Sequence, residues 1–149
     1  MNATKIQLLS ILFLFILLSS SCDKENGEVA QFDYPFELEQ NERIFFTESN
    51  SGLSLTLTSV QDSRCPTDVQ CISAGRAKVQ VLLSQNSGVS VSGELCIGFC
   101  DNQNNEVEDT LPLSLDNVKY VLNLKSVNPY PNKFSTNKNK RALFTLHKE

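Results

Sequence analysis

Cysteine is where this 149-residue chain concentrates its chemistry. Cys65 and Cys71 bracket a short run, Cys96 and Cys100 bracket Ile97-Gly98-Phe99, and Cys22 stands apart near the N-terminus. In an exported chain the four distal thiols read as disulfides, and their order alone leaves three connectivities open, including a staple between the two pairs. Zinc would favour closer pairs and free thiolates, which an oxidising compartment works against. A redox role would want Cys-x-x-Cys at a helix N-terminus, and neither spacing matches. The expectation is therefore no metal and no cofactor.

Other reactive groups are sparse. His147 falls on the outward phase of a terminal alternating run, and a catalytic triad would also need an oriented nucleophile and a third group. We read it as a solvated strand histidine, and the chain as no enzyme. Asp62 and Arg64 flank the first cysteine pair and suit an ion pair or a cap on loop amides. The run 101–109 is acidic, with Asp101, Glu106, Glu108 and Asp109, but Gln103 and a missing glycine fit a calcium loop poorly. The run 128–141 carries Lys133, Lys138, Lys140 and Arg141. Spaced by Asn, Ser and Thr, these cations read as a solvated connection, with lipopolysaccharide or another polyanion as the alternative contact.

The N-terminus sets the address. Lys5 precedes an apolar stretch ending in Ile11 to Leu18, too short for the ~20 apolar residues of a membrane span but suited to an export signal. Ser19-Ser20-Ser21 then lead to Cys22, which resembles a bacterial lipoprotein cleavage and lipidation site, with its leucine one place early at Leu18. Each acyl methylene adds roughly 0.8 kcal/mol of membrane affinity, so more than one chain on Cys22 would anchor stably. The domains expected are a signal peptide at 1–21, a lipidated cysteine and flexible polar tether at 22–33, and a folded domain at 34–149. Losing Lys5 with the signal leaves one basic residue fewer than 13 against 17 acids, so the net charge moves from −4 to −5. That balance argues against a nucleic-acid partner.

Period-two alternation dominates the rest. Phe36 and Leu38, Ile44 to Thr47, and Leu53-Leu55-Leu57 come first; Arg76 to Ser84 and Val89 to Leu95 are joined by Gln85-Asn86-Ser87-Gly88. Leu111 to Leu115 holds Pro112 and so belongs on an edge, and Asp116-Asn117 turns into Val118 to Val127. Arg141 to Lys148 is last, with Ala142, Phe144 and Leu146 inward. Val60 and Val127 break their alternations after the similar runs Leu57-Thr58-Ser59-Val60 and Leu124-Lys125-Ser126-Val127, as a β-bulge in each strand would cause. The fold class expected is all-β: a single antiparallel β-sandwich, Ig-like or related, of about seven or eight strands.

The run Asp62-Ser63-Arg64-Cys65-Pro66, then Val69-Gln70-Cys71 and Ala74-Gly75, resembles a signature of small lipoproteins from Bacteroidota-type bacteria. Leu124-Lys125-Ser126-Val127-Asn128-Pro129-Tyr130-Pro131 is similar to the same family's second signature. Ser73 departs from it, standing where an aromatic residue, usually tryptophan, is expected. The resemblance implies an outer-membrane lipid-anchored location in the cell envelope, with no particular activity. It also favours Cys65 with Cys71, and hence Cys96 with Cys100. Rings this small remove less unfolded-chain entropy than the ~3 kcal/mol of a 15-residue loop, so they shape loops more than they stabilise the domain. The functional expectation is a non-catalytic binding or assembly module that presents a disulfide-rigidified loop, with Asp62, Arg64, Pro66 and Asp68 as its candidate binding residues. Its partners would be the membrane, through the lipid, and an envelope or extracellular protein. Inhibition of an envelope or secreted hydrolase is the alternative.

Overall fold

The computed structural model describes residues 28–47, 49, 52–100, 105–134 and 139–149. The signal at 1–21, Cys22 and the tether up to 27 lie outside the described residues, as do 101–104 of the acidic run and 135–138 of the basic one. Among the described residues no helix is long and apolar enough to cross a membrane.

The strands are β1 (Glu28–Ala30), β2 (Phe36–Glu39), β3 (Arg43–Phe46), β4 (Ser54–Asp62), β5 (Arg76–Ser84), β6 (Ser90–Phe99), β7 (Asn105–Glu106), β8 (Asp109–Leu115), β9 (Val118–Asn128) and β10 (Arg141–Lys148). They form two sheets, ordered β1-β3-β4-β5-β6-β7 and β2-β10-β9-β8. The alternation places its apolar phase between the sheets. Leu55 and Leu57 of β4, Ala77, Val79, Val81 and Leu83 of β5, Tyr120, Leu122 and Leu124 of β9, and Ala142, Phe144 and Leu146 of β10 are all buried there. Phe36 meets Phe46 edge-on and lies 5.9 Å from Phe144, joining the sheets through their rings.

Turn chemistry sets the registers. Asp116 and Asn117 both take positive φ, 51° and 62°, so their two-residue turn follows the strand twist and pairs Leu115 with Val118. Pro112 sits on β8, an edge strand, the place in a sheet where a residue without an N–H is tolerated. Both expected bulges are present: pairing runs from Leu57 to Ser59 past Thr58 in β4, and from Leu124 to Ser126 past Lys125 in β9. The skipped residue is the second of the shared Leu-x-Ser-Val run each time.

Three features differ from the sequence expectation. Residues from Glu28, within the expected tether, already belong to the sandwich: β1 pairs with β3, Ala30 and Phe32 are buried, and Phe32 stacks 5.1 Å from Phe46. Its few apolar residues, interrupted by Gln31 and Asp33, make no visible period. That β1–β3 pair is parallel within otherwise antiparallel sheets. Strand β6 runs on through Cys96 to Phe99, and the two-residue β7 pairs with its end. With β1 and β7 added, the strands among the described residues number ten.

The fold brings three connections to one end of the sandwich. Strand β4 leaves it at Asp62 and β5 enters at Arg76; β6 leaves at Phe99; β9 leaves at Asn128 and β10 enters at Arg141.

Candidate functional site

The cysteine loop starts from a buried carboxylate. Asp62, at the end of β4, has no exposed side-chain surface. Its Oδ1 accepts from Arg64 Nε at 2.8 Å and from the Arg64 amide at 3.2 Å. Its Oδ2 accepts from Arg64 Nη2 at 2.7 Å and from Lys140 Nζ at 2.8 Å. The fork of the guanidinium matches the carboxylate, and the same Nη2 donates to the carbonyl of Val127 at 2.7 Å. Lys140 Nζ also donates to the Pro129 carbonyl at 2.6 Å. The ring of Tyr130 lies over Arg64, 4.2 Å from its central carbon. One acid and two cations thus tie the start of the cysteine loop, in one sheet, to the connection leaving the other.

That loop is then braced along its length. Disulfides join Cys65 to Cys71 and Cys96 to Cys100, each with Cα atoms 5.9 Å apart. The Cys65 amide donates to Ala74, closing the loop base at 2.7 Å, and the Thr67 amide donates to Pro131 at 3.2 Å. Asp68 accepts from the Lys133 amide at 2.8 Å. Gly75 takes φ 70°, and a Cβ there would lie 1.9 Å from the Ser63 carbonyl oxygen, so the turn back into β5 requires glycine. The Gly75 carbonyl accepts from the Phe99 amide, and Arg76 Nη1 reaches the Cys100 carbonyl at 3.1 Å, which joins the second disulfide to the same frame.

The candidate residues divide by exposure. Asp62 and Arg64, expected among the binding residues, are buried supports and offer a partner no protruding surface. Pro66 is half-buried and Asp68 is exposed at the loop flank. The groups that project are apolar. Val69 and Ile72 stand out from the cysteine loop, with Ile72 fully exposed, and Ser73 beside it is exposed as well. Among the described residues, six of the nine large exposed hydrophobic side chains belong to this end: Val69, Ile72, Phe99, Val107, Tyr130 and Phe134. Isolated Val and Ile in a polar loop gave the sequence no period to read.

Charged runs changed role as well. Lys140 is buried on Asp62 and Arg141 forks onto Glu39, so neither is a free cation for a polyanion. In the acidic run, Asp109 accepts from the Cys96 and Thr110 amides, each at 2.7 Å, and Glu108 pairs with Lys125. Among the described residues no three His, Cys, Asp or Glu side chains converge as metal ligands. His147 bonds Asp33 through Nδ1, on the last strand. Two disulfides belong to an oxidising compartment, so the protein matures outside the cytoplasm. Compared with protein-family models, with curated proteins and with solved structures, the chain gives no significant match.

Burial by itself raises the pKa of the Asp62 carboxyl. Hydrogen bonds from Arg64 and Lys140, with the Arg64 charge, outweigh it and hold the group below the ordinary carboxylate value. A carboxyl lowered by folding contributes stability that is complete above its unfolded pKa and is lost as pH falls through the folded one. Asp62→Asn, which strands two cations, is expected to cost about 3–5 kcal/mol near neutral pH. The cost shrinks below about pH 4, where the unfolded carboxyl takes up a proton that the folded one still resists. Urea midpoints of both proteins from neutral pH down to about pH 3 measure this; a cost that stays constant with pH contradicts it.

Proposed function

We propose that the protein is a lipid-anchored, non-catalytic binding module of the bacterial cell envelope, and that the tip of the Cys65–Cys71 loop and its downstream flank carry the contact. The observation that supports this most is Ile72, a fully exposed apolar side chain on backbone held by a disulfide and by the Asp62 network beneath. Exposing an isoleucine on a rigid loop is useful when a partner covers it. The side chain contributes apolar burial, and the brace spares the ordering entropy that a flexible loop loses on binding.

Asp68, Val69 and Ile72 are the contact residues in this reading, with Asp62, Arg64 and Gly75 holding them in place. The lipid anchor at Cys22 and the outer-membrane location follow from the signal-like residues 1–21 and from the resemblance of the two signatures to small envelope lipoproteins. The partner is an envelope or extracellular protein with an apolar recess. A hydrolase cleft is one such recess, which keeps the inhibitor reading as a special case.

A photo-crosslinking amino acid at Ser73, on the protein displayed by its native cells, tests the contact. One discrete protein adduct is expected from position 73, lost in Ile72→Asp and absent when the crosslinker sits at Lys119 at the opposite end. Adducts equal from both positions, or none from 73, overturn the reading. An adduct with a hydrolase that the protein inhibits one-to-one would select the inhibitor form. Intact mass of the same preparation reads the anchor: a chain beginning at acylated Cys22 supports it, and an unmodified N-terminus contradicts it.

A further inference from the structure

Beneath the loops, a cleft of about 320 Å³ opens between the ends of the two sheets. Ile97, Gly98, Val107, Val127 and Tyr130 form much of its wall, and Arg64 lines it too. The Arg64 side chain is more than nine-tenths buried, and since no buried side-chain nitrogen or oxygen among the described residues lacks a partner, Nη1 is an atom that keeps access to the cleft. Nε and Nη2 are spent on Asp62 and Val127, while Nη1 has no acceptor among the described residues. Tyr130 covers the flat face of the guanidinium and leaves that donor edge.

The charge count points the same way. Asp62, Arg64 and Lys140 have side-chain exposures of 0%, 8% and 5%, and they bring two formal positive charges against one negative. Among the described residues no second carboxylate forms an ion pair with either cation. A buried cluster with one cation in excess attracts an anion at its accessible edge, because low-dielectric surroundings screen it poorly. Two other charges line the cleft. Lys125 is paired with Glu108, and Glu106 is exposed with its backbone paired to Gly98 in the β6–β7 ladder.

We infer that this cleft binds a carboxylate carried on an apolar body, the acid accepting from Arg64 Nη1 and the apolar part lying against Ile97, Val127 and Tyr130. The volume suits one side chain with its acid group. Two sources share that chemistry: a small apolar carboxylic acid, or the C-terminal carboxylate of a protein that ends in an apolar residue. The inference rests on the cleft and not on the loop tip, so it and the proposed contact at Ile72 fail independently.

The test is a nuclear magnetic resonance titration of the exported protein with isovalerate, with N-acetyl-Gly-Leu, and with the carboxamide of that dipeptide. Saturable shifts are expected at the Gly75 and Gly98 amides and at Arg64 Nε–H. The carboxamide should bind about ten-fold more weakly than the free dipeptide, having lost a charge-assisted bond. Ala74→Asp, which adds an acid at the cleft wall without touching the Asp62 network, should abolish the shifts. Binding of the dipeptide tighter than isovalerate assigns a protein C-terminus, and the reverse or equality assigns a small acid. Equal binding of carboxamide and acid, no saturation below about 10 mM by either acid, or Ala74→Asp binding unchanged overturns the inference.

Discussion

A carboxylate taken out of water has to be met by charge and by hydrogen-bond donors, or the fold opens to rehydrate it. Asp62 is such a group, and four donors meet its two oxygens. Those donors come from Arg64, two residues on, and from Lys140, which lies 78 residues further along the chain. Each of the two residues has a second bond, Arg64 Nη2 to the Val127 carbonyl and Lys140 Nζ to that of Pro129. The acid therefore fixes the departure of the cysteine loop from β4 and, at the same time, its distance from the connection between β9 and β10. Removing one partner from such a cluster is costly because the remaining charges stay buried.

This arrangement separates support from contact. Asp62 and Arg64 of the signature-like run are turned inward, where they hold backbone, and Val69 and Ile72, between and after the cysteines, are turned outward. The Cys65–Cys71 bond constrains only a short segment, so its effect is local. Position of the whole loop relative to the sandwich comes from the Asp62 network, from Thr67 on Pro131, and from Asp68 on the Lys133 amide. Both signature-like runs, far apart in the chain, meet at this one end.

Much of the scaffold was legible in the sequence because period-two alternation is a direct record of a two-layer sandwich. Leu55, Val79, Leu122 and Phe144 advertise their face, Pro112 its edge, and Asp116-Asn117 its turn. Even the bulges at Thr58 and Lys125 showed as a phase slip at Val60 and Val127. Strand β1 was not legible, since a three-residue strand and one buried Phe32 make no period. Nor was the fate of Lys140: within a run of spaced cations it reads as solvated, and only the closure of β10 against β9 carries it onto Asp62. Asp62 and Arg64 were read as a pair, but nothing local distinguishes a surface pair from a buried one. Ile72 drew no attention because a single apolar residue in a polar loop has no pattern to belong to.

Asp62, more than the disulfide, holds the cysteine loop against the sandwich. Amide hydrogen exchange in Asp62→Asn, with both disulfides left oxidised, tests it most directly. Exchange should quicken at Thr67 and Lys133, whose amides bond across the loop interface, while Val79 and Leu122 in the sheets remain protected. Unchanged protection at Thr67 and Lys133 would rule out that role for Asp62 and leave the disulfide and the backbone turns as sufficient supports.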